Sequence, residues 1–229
     1  VPQSDFPQSK VDGPRPNLLV GGFPDSGSGS DHVYEIYGNF FYQNRDGEGL
    51  IQASGRVSIH DNVFVGPAWS AVFLTDHNRP IRLATVYNNT IYSVDNGVRL
   101  ASTPRERADA VGNLVFAGNP ISGPFGNESG NIADSVAAAG QYVANPSLEP
   151  GVMDFYPIGD AARGEPLDLS PFSTDRAFGQ DFNGNSKGDF RFRGAYAGAG
   201  ENPGWQLAAE LKGEGLRTRP RPPTDVRAQ

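Results

Sequence analysis

A chain of 229 residues with a net charge of −7, 37% apolar residues, 29 Gly, 19 Pro and no Cys suits one large or two small turn-rich domains. The absence of cysteine excludes disulfides, thiolate catalysis and Cys-ligated metal centres. The acidic balance argues against nucleic acid or an anionic membrane surface as partner, and no apolar run approaches the ~20 residues of a membrane span.

Residues 1–32 are rich in Pro, Gly and Ser and read as an extended or edge-coil segment, with one apolar patch, "NLLVGG". Residues 33–132 carry an internal repeat. The words "IYGNFFY" (36–42), "IHDNVFV" (59–65), "VYNNTIY" (86–92) and "AVGNLVF" (110–116) each place an Asn fourth. Asn39, Asn62, Asn89 and Asn113 are 23, 27 and 24 residues apart, with an apolar or small residue three before and an apolar one two after. A second strand-like segment accompanies them: "GLIQA" (49–53), "AVFLT" (71–75) and "GVRLA" (97–101). Alternation directs Leu50, Val72 and Val98 inward and Ile51, Phe73 and Arg99 outward.

A coil of about two dozen residues is too short for a βαβ unit and cannot bury its own apolar face. Stacking coils about 4.8 Å apart pairs their strands in parallel and closes a continuous core. The Asn then sits at a corner, where a left-handed residue is needed, and its amide can hydrogen-bond along the stack as an asparagine ladder. Ordinary loop asparagines in an antiparallel sandwich are the other reading, but a sandwich does not readily repeat one word four times. The predicted class is all-β, a right-handed parallel β-helix.

Residues 133–198 read as a C-terminal coil and capping segment packed over the last coil. Residues 199–229 contain "WQLAAELK" (205–212), a short helix by periodicity, and the Pro/Arg-rich tail "RTRPRPPTDVRAQ". No amphipathic helix before residue 33 caps the first coil, so further coils are expected before Val1, on the same polypeptide or on another chain docking there.

The repeated word, with "NPSLEP" (145–150), "LDLSPF" (167–172) and "DFNGNSKGDFRFRGAYAG" (181–198), resembles the parallel β-helix repeat and C-terminal pattern of bacterial secreted members of the pectin-lyase-like superfamily. The terminal pattern departs in lacking the acidic residue after Tyr196. The resemblance implies a secreted, periplasmic or cell-surface protein that binds or processes a polysaccharide, or a non-catalytic subunit of an extracellular assembly. If it is an enzyme, a polysaccharide lyase or glycoside hydrolase is implied.

Catalysis in such proteins sits on the outer face of one strand stack. No lysine lies in the coils, since Lys10, Lys187 and Lys212 all fall outside, and the outward triplet supplies no paired carboxylates for hydrolysis. The best polar cluster is "TDHNRP" (75–80): Asp76 and His77 as an acid/base pair, with Arg99 to hold a carboxylate. The plainer reading of the same residues is a turn with His77 exposed. His32 and His60 read as surface residues. "DFNGNSKGD" (181–189) spaces Asp181, Asn183, Asn185 and Asp189 like a calcium loop but lacks the Gly at position six and the terminal Glu, so a tight turn is expected, with calcium as the lesser alternative, and no cofactor is assigned. Outward Tyr42, Tyr92 and Phe116 form either a sugar-stacking strip or a buried row. Asn88 and Asn127 begin glycosylation sequons.

Overall fold

A computed structural model describes residues 15–44, 49–66, 68–210 and 212. Thirteen short strands wind into a parallel solenoid of about four coils. The first face is a sheet of β2 (Tyr34–Tyr37), β5 (Arg56–His60), β8 (Leu83–Tyr87), β10 (Arg107–Val111) and β12 (Asn127–Ser129). After the corner the second face holds β3 (Phe40–Tyr42), β6 (Val63–Gly66), β13 (Ile132–Asp134) and the first halves of β9 (Thr90–Leu100) and β11 (Leu114–Ser122). The third face holds β1 (Leu18–Val20), β4 (Ile51–Ala53), β7 (Ser70–Leu74) and the second halves of β9 and β11. "NLLVGG" thus supplies an edge strand.

Register decides which side chains enter the core. Ile36, Ile59, Val86 and Ala110 stack in one inward row, and Phe41, Phe64, Ile91 and Val115 in another. On the third face the inward row is Leu18, Ile51, Val72, Val98 and Ile121. The expected alignment of "GLIQA" was therefore one residue out: Ile51 points inward and Gln52 joins Phe73 and Arg99 outward. A one-residue slip exchanges the two faces of a strand.

The predicted ladder is present and has five members. Nδ2 of Asn39, Asn62, Asn89 and Asn113 each donates to Oδ1 of the next asparagine, at 3.2, 3.0, 3.1 and 3.0 Å, ending at Asn131. The backbone N–H of each also donates to that same oxygen. The left-handed residue is not the ladder Asn but the one before it: Gly38, Asp61, Asn88, Gly112 and Gly130 have φ between 51° and 66°. All five are Gly, Asn or Asp, the residues that tolerate this conformation.

The segment after β13 runs back along the solenoid, with Tyr42 bonding Leu148 and Arg176 bonding Glu35 of the first coil. It contains a 3-10 turn at Val136–Gln141, an antiparallel pair of β14 (Val143–Asn145) and β15 (Asp154–Pro157), and a 3-10 turn at Ser170–Phe172. Met153, Phe155, Phe182, Tyr196 and Leu207 bury the outer side of the second face, including Val63, Val65, Leu114 and Phe116. Leu169 and Phe172 cover Tyr87 and Val111 on the first face. The outward aromatics are accounted for: Phe116 is fully buried, Tyr92 lies against Phe155, and the Tyr42 hydroxyl donates to Leu148 O. They are not an open sugar-stacking strip.

No helix forms over residues 205–210. Trp205 and Leu207 instead pack separately into the second-face cluster, and Gly151 N donates to Leu207 O at 2.7 Å. Tertiary burial overrides a helical pattern this short. The rest of the predicted helix at Leu211, and the Pro/Arg tail, lie outside the described residues. No described helix is long and apolar enough to cross a membrane.

Candidate functional site

Two of the three outer faces are occupied by the chain itself. On the first face the residues four before each ladder asparagine, Glu35, Ser58, Thr85 and Asp109, form an outward polar row. Asp175 from the wrap accepts hydrogen bonds from Ser58 Oγ at 2.5 Å and Tyr87 Oη at 3.1 Å, and Thr85 Oγ1 donates to Ser58. Arg176 N donates to Glu35. Burial is the main cause that raises the Tyr87 and Asp109 pKa values, with Asp175 adding to the first and Arg107 opposing the second.

The residues two before the ladder asparagines stack beside this row. His60 lies between Tyr37 and Tyr87, centroids 5.1 and 4.7 Å away and rings nearly parallel, and Phe172 extends the stack. His60 is fully buried, which corrects the expectation of a surface histidine. Its Nδ1 is 2.8 Å from Asp61 Oδ2, and Lys187 of the wrap reaches to 3.5 Å from Asp61 Oδ1. Lys187 also donates to Gly194 O and Tyr196 O. Burial pushes the Lys187 ammonium below its ordinary pKa, and Asp61 opposes that. This enclosed network fastens the wrap to a corner and has no exposed edge at its centre.

The third face differs. Its outward row runs Leu19, Gln52, Phe73, Arg99 and Ser122. Trp69, 37% exposed, meets Phe73 edge-on, and the Arg99 guanidinium lies 4.7 Å from the Trp69 ring centre and 5.6 Å from that of Phe73. No described residue accepts a hydrogen bond from Arg99 or pairs with its charge. A second, shorter amide column fixes the platform: Asn119 Nδ2 donates to Asn96 Oδ1, and Asn96 Nδ2 donates to Trp69 O at 2.7 Å. Neither Trp69 nor the Asn96–Asn119 pair was marked by the repeat.

Of the sequence candidates, Arg99 belongs to this platform. Asp76 and His77 lie on the loop after β7, the strand that carries Phe73. Asp76 Oδ1 accepts from Ile81 N at 2.7 Å, and Asp76 N donates to Ser102 Oγ. His77 is exposed, its ring unpaired with Asp76 among the described residues. The geometry therefore holds a capped turn after the strand that carries Phe73, with His77 exposed on it.

Asp181 Oδ1 accepts from Asn183 N and Asn185 N, and its Oδ2 accepts from Ala197 N. Its carboxylate is taken up by the turn. Among the described residues no cluster of three or more His, Asp or Glu is placed to hold a metal ion. Asn88 is buried at its corner, whereas Asn127 is exposed.

Comparison with known protein families, curated sequences and solved structures finds no match to this chain. The fold and the third-face platform are the grounds for a functional reading.

Proposed function

We propose that this protein binds a polysaccharide along the third face of its solenoid, with Trp69 and Phe73 as the stacking surface and Arg99 as the hydrogen-bond donor. One observation carries the reading: a guanidinium held over an exposed indole with no acceptor for its N–H groups among the described residues. Sugar rings present C–H faces to aromatic side chains and oxygens to a guanidinium fork, so the pair matches both parts of a saccharide. A carboxylated or sulfated sugar gains most, because Arg99 supplies the local positive charge that the protein as a whole lacks. The resemblance to secreted β-helix proteins supports the same reading. If the polymer is also cleaved, exposed His77 on the neighbouring loop is the proton-transfer candidate.

Affinity electrophoresis against a panel of neutral and acidic polymers, with ultraviolet detection of unsaturated products, tests this. Trp69→Ala and Arg99→Ala are each expected to weaken binding about tenfold or more, a loss of ~1.4 kcal/mol, without changing the melting temperature appreciably. His77→Ala should lower product formation while leaving binding intact. Binding that ignores both platform substitutions would end the proposal.

The second reading, a non-catalytic subunit that assembles with another chain, is favoured by the exposed ladder end at Asn39. Failure to bind any polymer, together with co-assembly through that end, supports it.

A further inference from the structure

The asparagine column has a direction, and so the solenoid has two chemically different ends. Each interior ladder Oδ1 accepts two N–H groups from the preceding coil, one from the backbone and one from the side chain. At the first coil Asn39 is exposed, and its Oδ1 accepts from none of the described residues, although its Nδ2 donates to Tyr37 O and Asn62 Oδ1. At the last coil Asn131 Oδ1 accepts from Asn113, and Asn131 Nδ2 donates to Ala110 O. Its backbone N–H and the second Nδ2 hydrogen, which in every earlier coil go to the next asparagine, have no partner among the described residues. Among the described residues, one end lacks donors and the other lacks an acceptor.

Continuing the observed register by one coil sets Asn131 of one molecule under Asn39 of the next. The flanking positions then bring Ile132 to Phe40 and Ala133 to Phe41, apolar against apolar, and Asn127 and Ser129 to Glu35 and Tyr37. One position conflicts. The register Ala110↔Glu128 places Glu128 in the inward row of Ile36, Ile59, Val86 and Ala110. β12 is exposed along all three residues, so the carboxylate is solvated here. A second molecule stacked on this end would set Ile36 over Glu128 and strip water from a carboxylate with no cation supplied. That cost is large, and an inward-pointing charge at a sheet edge is a known device against edge-to-edge pairing.

We propose that the two solenoid ends are complementary halves of a head-to-tail interface between copies of this chain, and that Glu128 is the residue holding them apart. Such a contact is heterologous and does not close, so its product is a linear filament. This inference does not depend on the polysaccharide reading.

Sedimentation velocity across a concentration series, with negative-stain microscopy, tests it. Wild type should remain a monomer. Glu128→Val, and Glu128→Gln as the variant that keeps side-chain shape, should give linear assemblies whose average mass rises roughly twofold or more with concentration. Adding Asn39→Leu to Glu128→Val removes the ladder acceptor and should restore the monomer. Wild-type protein that already polymerises, Glu128 variants that keep a native circular dichroism spectrum yet stay monomeric, or assembly indifferent to Asn39→Leu would each overturn the proposal.

Discussion

Asn89→Leu should cost on the order of 4 kcal/mol or more, read from the urea midpoint at unchanged slope. The Asn89 amide is fully buried and takes part in five side-chain hydrogen bonds. It donates to Ile59 O, Tyr87 O and Asn113 Oδ1, and it accepts from Asn62 N and Asn62 Nδ2. Leucine has similar volume but leaves those partners enclosed and without counterparts, each at a cost of about 1–3 kcal/mol before relaxation. Domains of this kind have only ~5–15 kcal/mol in total, so the variant retains little margin. Asn39→Leu makes the same chemical change at the exposed end, where water replaces the lost partners, and should cost about 1 kcal/mol. Equal losses at the two positions would contradict the ladder as the structure draws it.

Lys187→Met should cost ~3–5 kcal/mol, because it strands Asp61 as a buried carboxylate whose only remaining side-chain partner among the described residues is the His60 ring. Lys187 stands on the wrap and Asp61 on the second corner, so the loss falls on the attachment of the wrap to the coils. Arg193, by contrast, ties the wrap to itself, donating to Phe190 O, Arg191 O and Glu165 O. Adding Asp61→Asn to Lys187→Met should recover part of the stability by removing the uncompensated charge. Asparagine also tolerates the φ of 51° at that corner. A loss below about 1 kcal/mol for Lys187→Met would mean that the pair is not buried as described.

The coil repeat was legible because stacking forces equivalent residues onto equivalent positions. The ladder needs an amide at every corner, and each neighbouring row needs an apolar side chain. The left-handed position carried its own signal in Gly38, Asp61, Asn88 and Gly112, one place before the asparagine that drew attention. Asn131 escaped because its coil breaks the word where the others are apolar or small, three residues before the ladder. The residue there is Glu128, which guards the end of the stack. The third-face register was misread because the step from Ile51 to Val72 is 21 residues, whereas Val72 to Val98 is 26. An apolar run at 49–51 gives no local indication of which residue turns inward.

The rest depended on contacts distant in sequence. The Lys187–Asp61–His60 network joins residues more than a hundred positions apart, and no local pattern announces it. His60 and Tyr87 look like solvent-facing residues of an open sheet until the wrap is laid over them. Trp69 lies between strands and repeats nowhere, so periodicity passed over the residue that gives Arg99 its setting. Arg99 was identified because it alternates with core residues, and the absence of an acid partner among the described residues emerged only from the packing.

Hydrogen exchange at the asparagine side chains, followed by NMR, tests the stacked-coil architecture most directly. The Nδ2 protons of Asn62, Asn89 and Asn113 should exchange only on global unfolding, and those of Asn39 should exchange quickly. Rapid exchange at all four would contradict a continuous column of amides, and with it the placement of Trp69, Phe73 and Arg99 on one face.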